Sequence, residues 1–163
     1  MLIDFTLENF RSYKEAKTFS LMASAAGELP ANPAGTHDRA LIRVAAIYGA
    51  NASGKSNLLE AMNVLTELLT RSRPASLFDD AFEDIEVVPF ALDATFSKRP
   101  TRFIVRFILN NVRYDYTIAV RTGMIYEEEL DVYPHGRKQE WFSRSGTDIT
   151  INSTYLSSSF ADF

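Results

Sequence analysis

Alternating apolar and polar residues predict a β-hairpin at the start of the chain. One face of the first strand would carry the apolar residues Ile3, Phe5 and Leu7. The polar stretch 9–15 predicts a turn, and the run 18–22 predicts the returning strand. A hairpin is therefore expected over 1–22. The Ala-, Gly- and Pro-rich stretch that follows, 23–40, predicts a loop.

A second pattern predicts a strand, a turn and a helix within residues 41–73. The run 44–48 is continuously apolar, which is typical of a strand buried on both faces of a parallel or mixed sheet. After a glycine-rich turn, apolar residues recur at the helical spacing at Leu58, Met62, Leu65 and Leu69. The stripe is widened by Leu59, Ala61 and Leu68. The period predicts a helix over 56–71 that is broken by Pro74.

The second half of the chain has the alternation of an antiparallel meander. Two alternating runs, 103–109 and 112–120, flank Asn110 and Asn111. Asparagine tolerates positive φ, so this pair predicts a tight hairpin turn. Further strands are predicted over 124–133, 140–144 and 148–151. A β-rich unit over 85–152 is the result.

The turn between the predicted strand and helix carries the candidate chemistry. Residues 49–56 read Gly49, Ala50, Asn51, Ala52, Ser53, Gly54, Lys55 and Ser56, which matches the Walker A pattern GxxxxGK[ST]. Such a loop turns its backbone N–H groups toward an anion, and the helix N-terminus adds a partial positive charge. Lys55 would reach the β- and γ-phosphates as the catalytic cation, and Ser56 would ligate the metal. The pattern predicts ATP and Mg²⁺ as cofactors. A loop that binds nucleotide without hydrolysing it remains the main alternative.

Composition narrows the classes of protein. The chain has 163 residues, with 17 basic and 21 acidic residues and a net charge of −4, which argues against a surface devoted to nucleic acid. The absence of cysteine excludes disulfides and thiolate metal sites. No apolar run is long enough to span a membrane and no signal peptide is recognisable, so we expect a cytoplasmic protein without a membrane partner.

Several segments of the chain resemble known ATPases. The opening run 3–13, IDFTLENFRSY, and the run Gly54-Lys55-Ser56-Asn57 resemble the N-terminal part of ABC-class ATPase heads. That group includes structural-maintenance-of-chromosomes proteins, RecF-type repair ATPases and overcoming-lysogenisation-defect nucleases. A narrower resemblance is to AAA-family ATPases of bacterial anti-phage and abortive-infection systems. It is carried by Pro89-Phe90, Pro100-Thr101-Arg102-Phe103, Tyr114-Asp115-Tyr116 and the run 125–130.

The resemblance implies a fold and a mode of action. The fold would be an α/β P-loop NTPase, the N-terminal lobe of an ABC ATPase head, with a mixed sheet and an antiparallel β-meander insert. Residues 1–163 would form a single partial head domain whose C-terminal lobe is absent. In the complete protein, two heads would form a homodimer around two ATP molecules. Arg11 would approach the bound nucleotide, Asn51 would help to order the γ-phosphate side, and Asn57 would shape the start of the helix.

The resemblance also shows what this chain lacks. We find no signature motif of the Leu-Ser-Gly-Gly kind and no Walker B strand, elements that the family carries far beyond residue 163. The acidic residues Glu127, Glu128, Glu129 and Asp131 do not form a Walker B element, and we expect them to face solvent on a meander strand. The chain therefore looks truncated, and we expect it to bind ATP weakly and to hydrolyse it poorly. The leading hypothesis is an ATPase that switches an effector, such as a nuclease or a toxin, in anti-phage defence or DNA repair.

Other functions stay open at the level of sequence. One alternative is a nucleotide-dependent scaffold or sensor whose aromatic meander binds a protein, and a less favoured one is a P-loop kinase. A nucleic-acid partner is suggested by the resemblance alone. Five arginines could gather on the insert for such a role: Arg99, Arg102, Arg106, Arg113 and Arg121. Arg106 and Arg113 could equally form a solvated pair on a hairpin.

Overall fold

A computed structural model of the chain describes residues 1–23, 33–34, 41–71, 85–121 and 123–155. The strands are β1 (Leu2–Glu8), β2 (Lys17–Ser20), β3 (Pro33–Ala34), β4 (Leu41–Ile42), β5 (Thr101–Leu109), β6 (Val112–Arg121), β7 (Met124–Tyr133), β8 (Gln139–Ser145) and β9 (Asp148–Ile151). The helix α1 spans Lys55–Arg71, and one 3₁₀ turn spans Phe96–Lys98. Most of the predicted loop over 23–40 and the predicted helix break at Pro74 lie outside the described residues.

Seven strands form one sheet in the order β2-β1-β5-β6-β7-β8-β9. Every strand pair among the described residues is antiparallel, so the expected mixed sheet is wrong for this part of the chain. The N-terminal hairpin and the meander are not separate units, because β1 pairs with β5 through registers such as Phe5 with Val105. Sequence separation hid this pairing, since nearly 100 residues lie between the two strands.

The hairpin between β5 and β6 follows the local sequence closely. Asn110 and Asn111 both adopt positive φ, at 49° and 62°. Two consecutive residues with positive φ match the right-handed twist of the flanking strands, which is why asparagine is favoured here. The register pairs Leu109 with Val112 directly across this turn. The predicted hairpin is therefore confirmed.

Strand β1 is more deeply buried than its alternation predicts. Five consecutive residues, 3–7, are buried, including the polar ones, because β1 lies inside the sheet between β2 and β5. The carboxylate of Asp4 accepts hydrogen bonds from the Arg106 guanidinium at 3.1 and 3.2 Å. The hydroxyls of Thr6 and Thr18 are 2.8 Å apart, within hydrogen-bonding distance. These partners satisfy polar groups that burial would otherwise penalise.

One face of α1 packs against the sheet and forms the core. The buried helix residues lie on one face of the helix, and they are Leu58, Ala61, Val64, Leu65 and Leu68. They pack with β-sheet and turn side chains, among them Phe5, Phe10 and Phe103. Phe103 lies 6.0 Å from the Phe5 ring and 5.6 Å from the Phe10 ring, centroid to centroid.

The helix is thus confirmed, but its predicted apolar stripe is rotated. Leu59 and Leu69, which the spacing placed on the core side, are 57% and 46% exposed. Val64, which the predicted stripe does not include, is 5% exposed and belongs to the core. The leucine-rich sequence permits more than one helical stripe, and the position of the sheet decides which of them is covered.

The predicted buried strand over 44–48 is wrong. Residues 43–50 have no strand conformation and are exposed, with Val44 at 83% and Tyr48 at 90%. A strand buried on both faces needs neighbouring strands to receive its backbone hydrogen bonds and layers to cover its side chains. The described residues supply no strand that pairs with this segment. The chain reaches it from β4, where the Ile42 amide donates to the Leu21 carbonyl at 2.8 Å.

A single buried side chain, that of Asn9, joins the N-terminal turn to the segment before β5. Its amide nitrogen donates to the carbonyl oxygens of Phe96 and Arg99, both at 2.9 Å, and of Pro100 at 3.2 Å. Its side-chain oxygen accepts from the Phe90 amide at 3.1 Å, and its main-chain oxygen accepts from the buried Thr101 hydroxyl at 2.7 Å. Asn9 is 1% exposed and has a φ of 53°, a conformation that asparagine tolerates better than most residues.

We expect Asn9→Ala to lower the free energy of unfolding by about 3 kcal/mol, because it leaves a buried amide and buried carbonyls without partners. Chemical denaturation followed by circular dichroism measures the change. Asn63→Ala is the matched control: Asn63 is exposed on α1, so the same substitution there should change stability by less than about 0.5 kcal/mol. Equal losses in the two variants would contradict the role given to Asn9.

Candidate functional site

The candidate site is the tight loop over residues 49–54 that leads directly into α1. Ala52 and Gly54 both have positive φ, at 62° and 93°. The Ser53 amide donates to the Ala50 carbonyl at 3.3 Å, which closes the turn. Asn51, Ala52 and Ser53 are exposed at the tip of the loop. The backbone of the loop therefore faces solvent at the point where the helix begins.

Both glycines of the loop stand where a larger residue would collide. A Cβ atom at Gly49 would lie 2.9 Å from the Ser53 hydroxyl oxygen. A Cβ atom at Gly54 would lie 3.0 Å from the Ser12 hydroxyl oxygen and 3.2 Å from the Tyr13 phenol oxygen. Gly54 is constrained twice, because its φ of 93° also disfavours any L side chain.

The ammonium group of Lys55 lies over this loop. Its Nζ donates to the carbonyl oxygens of Gly49 at 2.8 Å and Ala50 at 2.7 Å, and it is 3.4 Å from the Ser53 hydroxyl. The side chain thus turns back from the first residue of α1 to the first residues of the loop. This places a positive charge next to the exposed loop backbone, which is an arrangement that suits an anion.

The helix start adds further donors to the same place. The first helical hydrogen bond runs from the Leu58 amide to the Gly54 carbonyl at 3.0 Å. The geometry of a helix therefore leaves the amides of Lys55, Ser56 and Asn57 without an acceptor inside it. The Ser56 side chain is exposed there. The side chain of Asn57 points away from the helix axis, and its Nδ2 donates to the Ser12 hydroxyl at 2.8 Å.

Arg11 lies beside α1, in a turn with positive φ. Its guanidinium is 3.4 Å from a carboxylate oxygen of Glu60, and its backbone amide donates to the Val88 carbonyl at 2.9 Å. Its Nε is buried without a hydrogen-bond partner among the described residues. The structure thus holds Arg11 against the helix, and no hydrogen bond joins its side chain to the described loop. Its approach to a nucleotide stays a prediction.

Two neighbours of Arg11 make the contacts that sequence reasoning missed. The Tyr13 hydroxyl donates to the Gly54 carbonyl at 3.2 Å, and Ser12 accepts from Asn57. The opening turn thereby supports both the last glycine of the loop and the start of α1. Ser12 and Tyr13 are the last two residues of the opening run that carries the resemblance. The resemblance therefore includes both residues, but it does not indicate that they contact the loop and the helix.

An acidic cluster on the meander offers a candidate metal site and is already neutralised. Carboxylate oxygens of Glu129, Asp131 and Glu140 lie within 4.8 Å of one another. The Lys138 ammonium is 2.9 Å from Glu129 and 2.6 Å from Asp131. These two carboxylates raise the pKa of Lys138 above its usual range, so the lysine stays charged and fills the position of a cation. The expectation that Asp131 faces solvent is wrong, because Asp131 is 8% exposed.

Glu128 also differs from its expected place in solvent. Its carboxylate accepts from the Tyr116 hydroxyl at 2.7 Å and pairs with the Arg144 guanidinium at 3.2 Å. Burial, followed by the charge of Glu128, raises the pKa of Tyr116 well above its usual value. The group is a partly buried structural network, and no hydrogen bond or ion pair among the described residues links it to the loop over 49–54.

The glycine-rich loop, its lysine and the helix start follow the sequence pattern of phosphate-binding loops. A family model described as "AAA domain, putative AbiEii toxin, Type IV TA system" matches residues 44–157, which is more than half of the chain. The chain belongs to this family of AAA domains. No curated protein matches it closely enough to count. None of the helices that the structure describes is both long and apolar enough to traverse a bilayer.

We expect Gly54→Ala to destabilise the protein and to weaken any ligand contact of the loop. The new methyl group forces Ser12 or Tyr13 aside and disturbs the bond between Ser12 and Asn57, in addition to a strained φ. Gly136→Ala is the matched control, because Gly136 has φ of 73° but nothing within 4 Å of its added Cβ.

The control should lose about 1 kcal/mol from backbone strain alone, and Gly54→Ala about 1 kcal/mol more from the contact. Thermal and chemical unfolding of the two variants measures the difference. If both variants lose the same stability, the packing of the opening turn on Gly54 does not matter.

Proposed function

We propose that this chain binds ATP with Mg²⁺ through the loop over 49–56 and acts as an ATPase in the complete protein. Its membership of the AAA family supports nucleotide binding and ATPase activity in general. The observation that carries the proposal is the position of the Lys55 ammonium, held over the carbonyls of Gly49 and Ala50 at the mouth of the loop. A polyphosphate entering the loop would meet this charge directly.

The residues of the loop and the helix start would each make a different contact with ATP and Mg²⁺. Glycine at positions 49 and 54 lets the loop turn tightly beside Ser53, Ser12 and Tyr13. A tight loop of this kind can direct its backbone N–H groups toward phosphate oxygens. The free amides at the start of α1 and the helix dipole favour negative charge. Lys55 would neutralise the outer phosphates, and the exposed Ser56 hydroxyl is a suitable ligand for Mg²⁺, which prefers oxygen. Asn51, Ala52 and Ser53 would border the phosphates from the loop tip.

The wider role that we propose is an ATP-driven switch. Two such heads would close around ATP and open on hydrolysis, and the motion would control an effector such as a nuclease or a toxin. The description of the family, which mentions a putative toxin of a type IV toxin–antitoxin system, supports a toxin-linked or anti-phage role. The contact of Ser12 and Tyr13 with the loop supports a mechanical link, since it ties the loop to the edge of the large sheet.

A nucleotide sensor that does not hydrolyse ATP is the second candidate. Among the described residues, Lys55 and Ser56 have no hydrogen bond or ion pair with a carboxylate, which would be needed to hold the metal or to position the attacking water. Steady release of phosphate from ATP, measured for the full-length protein, separates the two functions. Binding without turnover would favour the sensor.

We expect Lys55→Ala to lower the affinity for ATP at least tenfold, because it removes a charge-assisted contact with phosphate worth about 1.5–3 kcal/mol. Isothermal titration calorimetry measures this change. Lys17→Ala is the matched control, since Lys17 is an exposed lysine on β2 and should leave the affinity unchanged. Stability should be retained in both variants, because Lys55 is bonded only to its own loop. An unchanged affinity in Lys55→Ala would contradict the proposal that the loop over 49–56 binds ATP.

Ser56→Ala should affect the metal rather than the nucleotide itself. We expect it to reduce the gain in ATP affinity that added Mg²⁺ gives, while affinity without the metal stays nearly the same. Titrations with and without Mg²⁺ measure the two values. Ser53→Ala serves as the control for removal of a hydroxyl in the same loop. If Mg²⁺ strengthens binding equally in Ser56→Ala and in the unmodified protein, Ser56 is not the ligand.

A further inference from the structure

A cleft away from the glycine-rich loop collects positive charge on an acidic chain. Its volume is about 400 Å³, which is within the range of small-molecule sites. The cleft lies where the segment before β5 meets the end of β6. Three apolar residues, Val87, Pro89 and Val120, line it together with three basic residues, Lys98, Arg99 and Arg121. No acidic residue is among the described residues that line it.

The backbone that carries these basic residues is held in place. Arg121 donates through one terminal nitrogen to the Lys98 carbonyl and through the other to the Tyr126 hydroxyl at 2.6 Å. The Arg99 guanidinium lies over the Phe96 ring, 4.5 Å from its centroid. The Asn9 amide fixes the Arg99 carbonyl at 2.9 Å. Because these contacts exist before a ligand arrives, less ordering is required when one binds.

Most other arginines of the insert have carboxylate partners, and Arg137, exposed in the turn between β7 and β8, is the exception among the described residues. Arg102 pairs with Glu127, and Arg113 pairs with Asp115 at 2.6 Å. Arg106 pairs with Asp4 at 3.1 Å. In the part of the chain that the structure describes, no ion pair joins Lys98, Arg99 or Arg121 to an acid. Three basic residues without an ion pair among the described residues thus lie together at the cleft.

We propose that this cleft is a second anion site, separate from the glycine-rich loop, and that it binds a phosphate-bearing ligand. Two guanidinium groups and an ammonium offer several charge-assisted donors, and guanidinium is suited to bind phosphate oxygens in pairs. The apolar floor would receive the uncharged part of the ligand. The phosphate comes either from a free phosphorylated compound or from the backbone of a nucleic acid, and both present the same oxygens.

Calorimetry with inorganic pyrophosphate tests the site in the full 163-residue chain carrying Lys55→Ala, so that the loop does not contribute. We expect saturable binding that weakens about tenfold when either Lys98→Met or Arg99→Gln is added. Neither side chain donates a hydrogen bond to another residue that the structure describes, so these variants should keep the fold. Arg102→Gln is the matched control, because it removes one positive charge from a paired arginine of the same sheet.

A single-stranded oligonucleotide, titrated in the same way, distinguishes the two sources of phosphate. Binding of pyrophosphate indicates a free phosphorylated compound. Binding of the oligonucleotide alone, with the same loss in Arg99→Gln and weakening in salt, indicates a nucleic-acid backbone. The proposal is overturned if neither probe binds, or if Arg102→Gln weakens binding as much as the cleft variants do. Either failure would leave the proposed function of the loop over 49–56 standing, because all these variants already carry Lys55→Ala.

Discussion

The structure depends on the hydrogen bonds of one buried amide, that of Asn9. Its side chain holds the segment before β5 against the N-terminal turn. These hydrogen bonds fix the position of the turn relative to the aromatic core. The neighbouring Phe10 is fully buried against Phe103 as a result. The same turn then presents Ser12 and Tyr13 to the glycine-rich loop. The core, the loop and the cationic cleft therefore share a single polar anchor.

Features with a local physical cause could be predicted from the sequence. The helix α1, the hairpin at Asn110 and Asn111, and the strands of the meander each follow from spacing or from backbone preference within a few residues. The glycine-rich loop could also be located, because its pattern is contiguous and its chemistry is specific. These features were recognised within a residue or two of their observed ends.

Features that depend on distant partners could not be predicted. The run from Val44 to Tyr48 is apolar enough for a buried strand, yet the described residues give it no strand to pair with. The covered face of α1 was chosen by the sheet, not by its leucines. In the site, the support from Ser12 and Tyr13 spans about 40 residues of sequence and leaves no spacing rule to detect. Glu128 was assigned to solvent for the same reason, since its partners are on other strands.

The place of β1 in the sheet has a consequence for the order of events during synthesis. Although β1 begins at residue 2, it is flanked on one side by β5, which begins at residue 101. Its inner edge and the buried Asp4 stay unsatisfied until that later strand has left the ribosome. At 5–20 residues per second, this delay lasts about 5–20 s. The nascent N-terminus is therefore a candidate for chaperone protection until β5 has emerged.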